Sequence, residues 1–183
     1  MSDSLQIRVS LRGVSPEVWR RLVVPADCDF GQLHELLMAA MGWQGGHLHQ
    51  FHVGELPLTA ADSEAEEFGE DERGYALKAL VEVGGSFDYL YDFGDSWEHT
   101  VVVEAEAEEG AVPRCLDGER ACPPEDCGGP ERYQEICAAL ADSARPDAAE
   151  LLEEFEELAG SGFDPEHFDV AEANAALAEL ASA

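Results

Sequence analysis

Positive charge is scarce in this chain. Ten basic residues, with Lys78 the single lysine, stand against 40 acids and leave a formal charge of -30. Such a molecule repels a phosphate backbone at long range, so non-specific nucleic-acid binding is disfavoured. Long apolar runs are missing as well: nothing approaches the roughly 18 uninterrupted apolar residues of a membrane helix. The opening residues, Met1 to Leu11, lack the charged-then-apolar pattern of a secretion signal. The expectation is a cytoplasmic protein with no membrane partner. Cysteines are few and odd in number, at Cys28, Cys115, Cys122, Cys127 and Cys137. Without a secretion signal this argues against a disulfide framework and for metal or thiol chemistry. No internal repeat and no glycine-rich phosphate loop occurs.

What is present is enough apolar residue for a core, 45% of 183 residues, and the length suits one domain. The acidity is uneven. Residues 1–60 carry six acids against four arginines, and residues 61–183 carry 34 acids against six bases. Charge runs of this kind serve first as solvated surface.

Apolar residues alternate with Gln6, Arg8, Ser10 and Arg12, the period-two pattern of a strand with one buried face. Gly13, Ser15 and Pro16 make a turn, and Val18–Val24 is a second strand ended by Pro25, so an antiparallel hairpin is expected with arginines on its solvent face. Asp29 and Gln32 have capping-box spacing, which predicts a helix from Phe30. Phe30, Leu33, Leu37 and Met41 fall on one face of it, and Gly42 closes it. His47–Val53 returns to strand character, and Ala60–Gly74 is an acidic loop expected to be mobile. Tyr75–Val83 adds a short element. Phe87–Phe93 and Glu98–Ala105 read as two strands joined through Gly94, Asp95 and Ser96. Residues 106–129 form a Cys, Pro and Gly-rich connection without periodicity, and three helices follow, 130–141, 146–158 and 170–180. The fold class is therefore α+β: a mixed, mostly antiparallel sheet of five or six strands with a β-grasp-like hairpin-helix-strand start and a helical C-terminal part. Sheet and helix occupy residues 1–105, and the whole chain is one domain.

Three stretches carry chemistry. Tyr91–His99 gathers Asp92, Asp95, Glu98 and His99 about a tight turn with Trp97, a set able to ligate a metal or move protons; equally, the aspartates can bond turn amides while Trp97 packs in the core. In His47-Leu48-His49, strand periodicity places both imidazoles on one face, close enough to share a metal or simply to pack. Cys115, Cys122 and Cys127 lie in one loop with spacings looser than a zinc-finger pair, and His99, His47 and His49 are the candidates for a fourth zinc ligand; reduced structural thiols are the alternative. Glu125 and Asp126 sit between two of those cysteines on a path stiffened by Pro123 and Pro124. Arg8, Arg12, Arg20 and Arg21 form the one basic cluster, either an anionic-partner face or partners of the chain's own carboxylates.

In order, Val18-Trp19-Arg20-Arg21, Leu33-His34-Glu35, Met41-Gly42-Trp43, His47-Leu48-His49-Gln50-Phe51, Tyr91 to His99, Cys115-Leu116-Asp117-Gly118, Ala121 to Gly129 and Phe163-Asp164-Pro165-Glu166 resemble the plasmid pRiA4b ORF-3-like family, also labelled transposon passenger TnpR-type. The resemblance spans nearly the whole chain. It implies an α+β fold with a mixed sheet and helical end, often near mobile elements, and no established activity. Site-specific recombination needs a nucleophile served by arginines and a DNA-binding module, against which the charge argues. The expected role is a binding or accessory domain with a zinc-stabilised polar pocket of His47, His49, Trp97, Glu98, Glu125 and Asp126. The alternatives are a metal-dependent hydrolase using Asp92, Asp95 and His99 beside the histidine pair, and nucleic-acid engagement through the arginine hairpin.

Overall fold

The computed structural model describes residues 3–61, 63–64, 66–107 and 112–180. Strand β1 (Ser4–Leu11) pairs antiparallel with β2 (Trp19–Pro25), as the alternation predicts. Helix α1 (Phe30–Met41) begins at the expected capping box. The Asp29 carboxylate accepts the Gln32 backbone N–H at 2.8 Å and the Gln32 side chain accepts the Asp29 N–H at 3.1 Å. Gly42, at φ 93°, ends the helix in the left-handed conformation that glycine adopts without steric cost.

Strands β3 (His49–Val53), β4 (Leu56–Thr59) and β5 (Glu70–Asp71) precede a one-turn helix α2 (Leu77–Leu80). Then come β6 (Ser86–Tyr91), β7 (Trp97–Glu106) and β8 (Arg114–Glu119), followed by α3 (Gly129–Ala141), α4 (Ala148–Ala159) and α5 (Val170–Leu180). The eight strands form one sheet in the order β5-β4-β3-β6-β7-β1-β2-β8, antiparallel throughout except at β4–β5. The α+β class and the mostly antiparallel sheet agree with the sequence reading; the strand number exceeds it. Strand β8 lies inside the connection expected to be irregular, because Cys115 and Leu116 are adjacent and give no alternation. Its register to β2 also slips between Arg21 and Leu22, a bulge that no apolar pattern announces.

The helices lie on one side of the sheet. Phe30 of α1 meets Phe51 and Phe87 edge-on, at centroid distances of 5.1 and 5.5 Å. Helix α5 seals the β8 edge: the Asn174 amide accepts the Cys115 N–H at 2.8 Å and donates to the Cys115 carbonyl at 2.9 Å. A side chain thus occupies backbone groups that would otherwise recruit another strand.

The other side of the sheet is polar, and its arginines are spoken for. Arg8 pairs with Glu17 at 2.8 Å, Arg21 with Glu104 at 2.7 Å, and Arg12 with Asp88 and Glu98. Arg20 corrects the expectation of an exposed arginine face. Adjacent strand residues point to opposite sides, so Arg20 is turned inward, 2% exposed, where it donates to the carbonyls of Trp19, Ala40 and Glu119 and stacks on Phe168.

Candidate functional site

His47 stands in the bend just before β3, so strand periodicity does not apply to it. Asp92 follows β6 at φ 58°, and Asp126 lies in the loop before α3 at φ 59°. Aspartate tolerates the left-handed region better than most residues. The Asp92 Oδ1 accepts the N–H groups of Gly94 and Asp95 at 2.8 and 3.2 Å, which fixes the β6–β7 turn and leaves Oδ2 facing His47. His47 Nδ1 is 3.7 Å from that Oδ2, and His47 Nε2 is 3.3 Å from Asp126 Oδ1 and 3.9 Å from Glu125 Oε2.

One donor atom each from His47, Asp92 and Asp126 lies within 4.8 Å of the others, and among the described residues this is the one such group of three or more His, Cys, Asp or Glu side chains. Glu125 supports it from behind. Its Oε1 accepts the Tyr91 hydroxyl and the Gln44 N–H, both at 2.8 Å. The Trp43 indole N–H donates to the Pro123 carbonyl at 2.8 Å and holds the same loop. Burial, with Glu125 beside it, raises the Tyr91 phenol well above its usual range, so it remains a hydrogen-bond donor.

The other residues singled out in the sequence go elsewhere. Asp95 accepts the Gly128 N–H at 2.9 Å and ties the turn to the start of α3. A Cβ on Gly129 would stand 2.6 Å from the Asp95 carbonyl, so only glycine permits this approach. Glu98 lies on the opposite, polar side of the sheet with Arg12. Trp97 and His99 are fully buried beneath Trp43; His99 bonds the Tyr89 carbonyl through Nδ1 at 3.2 Å, and burial pushes it down to about 4. Asp92, Asp95 and His99 are thus not gathered about one point.

His49 is parted from His47 because its own strand turns it inward. It bonds Glu72 at 2.7 Å, with both side chains almost wholly buried. Glu72 belongs to the acidic loop, whose described part is docked there by a short 3-10 turn, Glu72–Gly74. Cys115 and Cys127 belong to the core, and Cys122 packs against it. Cys115 and Cys127 are 3% exposed, and burial raises Cys115, Cys122 and Cys127, the last to about 12, so all hold their protons. The loop does reach the His47 neighbourhood, through Glu125 and Asp126.

His34, Glu72 and Tyr91 carry no sign of a role in the sequence. An acid within an acidic loop gives no signal, and a tyrosine on an alternating strand reads as core. His34 interrupts the apolar stripe of α1 and belongs to the Leu33-His34-Glu35 stretch of the family resemblance, neither of which gives it a role.

Fold and site together define an α+β protein that presents an imidazole and carboxylates where the β6–β7 turn meets the loop before α3. The chain belongs to the plasmid pRiA4b ORF-3-like protein family, whose pattern matches residues 3–172. It is similar to the uncharacterised protein y4hQ of Sinorhizobium fredii, 40% identical over 188 aligned residues covering 100% of this chain and 94% of that protein. It also resembles MM3350 of Methanosarcina mazei Go1, a protein of unknown function with a crystal structure, at TM-score 0.81 and 31% identity, covering 92% of this chain and 96% of that one. Among the described residues no helix is long and apolar enough to cross a membrane.

Proposed function

We propose that this protein is an accessory binding domain of the cytoplasm that holds one divalent cation through His47, Asp92 and Asp126, with Glu125 as a positioning residue. The convergence of those three donor atoms within 4.8 Å carries the reading. One imidazole and two carboxylates, with no thiolate, suit zinc or manganese better than a soft ion. The ligands come from three separate stretches of chain, so a bound cation would join the β6–β7 turn to the loop before α3.

Zinc thus remains the proposed cofactor, with its place at the histidine and aspartates. The arginine hairpin gives little support to a nucleic-acid role or to the transposon-passenger label, since its guanidinium groups are engaged by carboxylates and carbonyls.

Titration calorimetry of the purified protein with zinc and with manganese tests the proposal. The expected result is one saturable cation per chain, lost in His47→Ala and in Asp92→Asn. Absence of saturable binding in the parent protein, or binding unchanged in both variants, overturns it.

The Asp126 side chain is 64% exposed, which favours a second reading. Three protein donors with open positions are the arrangement of catalytic rather than closed structural zinc, and a cation-bound water there would serve hydrolysis. Cation-dependent turnover of p-nitrophenyl acetate, abolished by His47→Ala, is the result that this reading requires.

A further inference from the structure

The cation site leaves His34 unexplained. This residue lies on α1, half-buried, and stacks face to face on His49 with ring centroids 3.6 Å apart and planes 4° from parallel. Its Nδ1 is 2.7 Å from the Tyr89 hydroxyl. Tyr89 is 1% exposed, and burial keeps the proton on its oxygen. Burial, with His49 alongside, pushes His34 down to about 3, so its ring is neutral. Nδ1 is the one acceptor within reach of the Tyr89 hydroxyl among the described contacts, which assigns the phenol as donor and the imidazole hydrogen to Nε2.

That Nε2–H has no protein acceptor among the described contacts, and its residue is only half-buried. It faces the glycine bend after Trp43, where a Cβ on Gly45 would stand 3.7 Å from it. It opens on a groove of about 640 Å³ between α1, residues 43–45 and the end of α5. Ligand pockets of roughly 300–1,000 Å³ are usual. Met38, Trp43 and Leu180 supply apolar walls, Glu35 and Glu179 line the same groove, and no lysine or arginine does. A fixed donor, an apolar wall and two carboxylates describe the complement of a particular kind of molecule.

We propose that this groove binds a molecule carrying a primary ammonium beside a carbonyl and an apolar side chain, the chemistry of a hydrophobic aminoacyl amide or of a peptide N-terminus. The carbonyl accepts from His34, the ammonium lies toward Glu35 and Glu179, and the side chain rests on Met38, Trp43 and Leu180. A free amino acid is disfavoured, because its carboxylate would enter beside two others in a chain of charge -30. The inference is independent of the cation.

The probe is leucinamide, followed by calorimetry and by nitrogen-15 NMR of the histidine side chains. The expected result is saturable binding that shifts the His34 Nε2 resonance. Affinity should fall about tenfold for isoamylamine, which lacks the carbonyl, and for isocaproamide, which lacks the ammonium. Ala176→Leu, which narrows the groove from α5, should abolish binding while leaving the folded spectrum intact. Tighter binding of leucyl-glycinamide assigns the site to a peptide N-terminus, and weaker binding to the small amide. No saturable shift, equal affinity for the three small probes, or a His34 proton found on Nδ1 overturns the proposal.

Discussion

His47 and His49 are separated by one residue and inhabit opposite environments. His47 stands partly exposed before β3 with its carboxylates arriving from distant segments, whereas His49 is buried in β3 against Glu72 and the ring of His34. The pair shows that side-chain direction follows the backbone state of each residue. Period two begins only where the strand begins, and the first imidazole escapes it. One histidine can therefore serve binding while the other serves stability.

The largest expected effect lies on the buried side. Removing one partner of a buried polar pair leaves the other without compensation, at about 3–5 kcal/mol. Glu72→Ala should cost on the order of 3 kcal/mol in urea unfolding; a loss below about 1 kcal/mol would mean that the His49–Glu72 bond adds little to stability.

Acid should act on the same buried half. His99 is held down to about 4 and His34 to about 3, below the usual 6.5, so the unfolded chain binds more protons than the folded one between those values. Stability is therefore fullest above about pH 6.5 and falls as pH drops toward 4, with His99 alone contributing on the order of 3 kcal/mol. Urea midpoints at pH 7 and pH 4.5 check the sign, and His99→Phe should flatten the slope. A midpoint that rises on acidification would contradict these assignments.

On the exposed side the effects separate. His47→Ala should change stability by less than about 1 kcal/mol in cation-free buffer, because His47 is itself partly exposed and the buried Asp92 keeps its bonds to the Gly94 and Asp95 N–H groups, while removing cation binding. A large loss of stability would make His47 a structural residue and erase the contrast with His49. The smallest effect is expected at a half-buried thiol: Cys137→Ala should stay within about 1 kcal/mol and leave cation affinity unchanged.

Much of the fold was legible because its signals are local. The Asp29–Gln32 capping box, the Gly42 stop, the β1–β2 alternation and the three C-terminal helices each rest on residues near in sequence. Strand β8 was hidden because its pairing with β2 is long-range and bulged. The site was legible as a set of segments rather than as a set of ligands. The histidine stretch, the aspartate bend and the loop before α3 do meet, yet which atoms face one another depends on turns with positive φ at Asp92 and Asp126. No spacing rule forecasts those. The cysteines drew attention as ligands, whereas folding placed them in the core and brought forward the acids between them.

If this meeting of segments forms a cation site, anomalous X-ray scattering from crystals grown with zinc will locate the ion there. One strong peak is expected within bonding distance of His47, Asp92 and Asp126. A peak among Cys115, Cys122 and Cys127, or no ordered zinc at all, would contradict it.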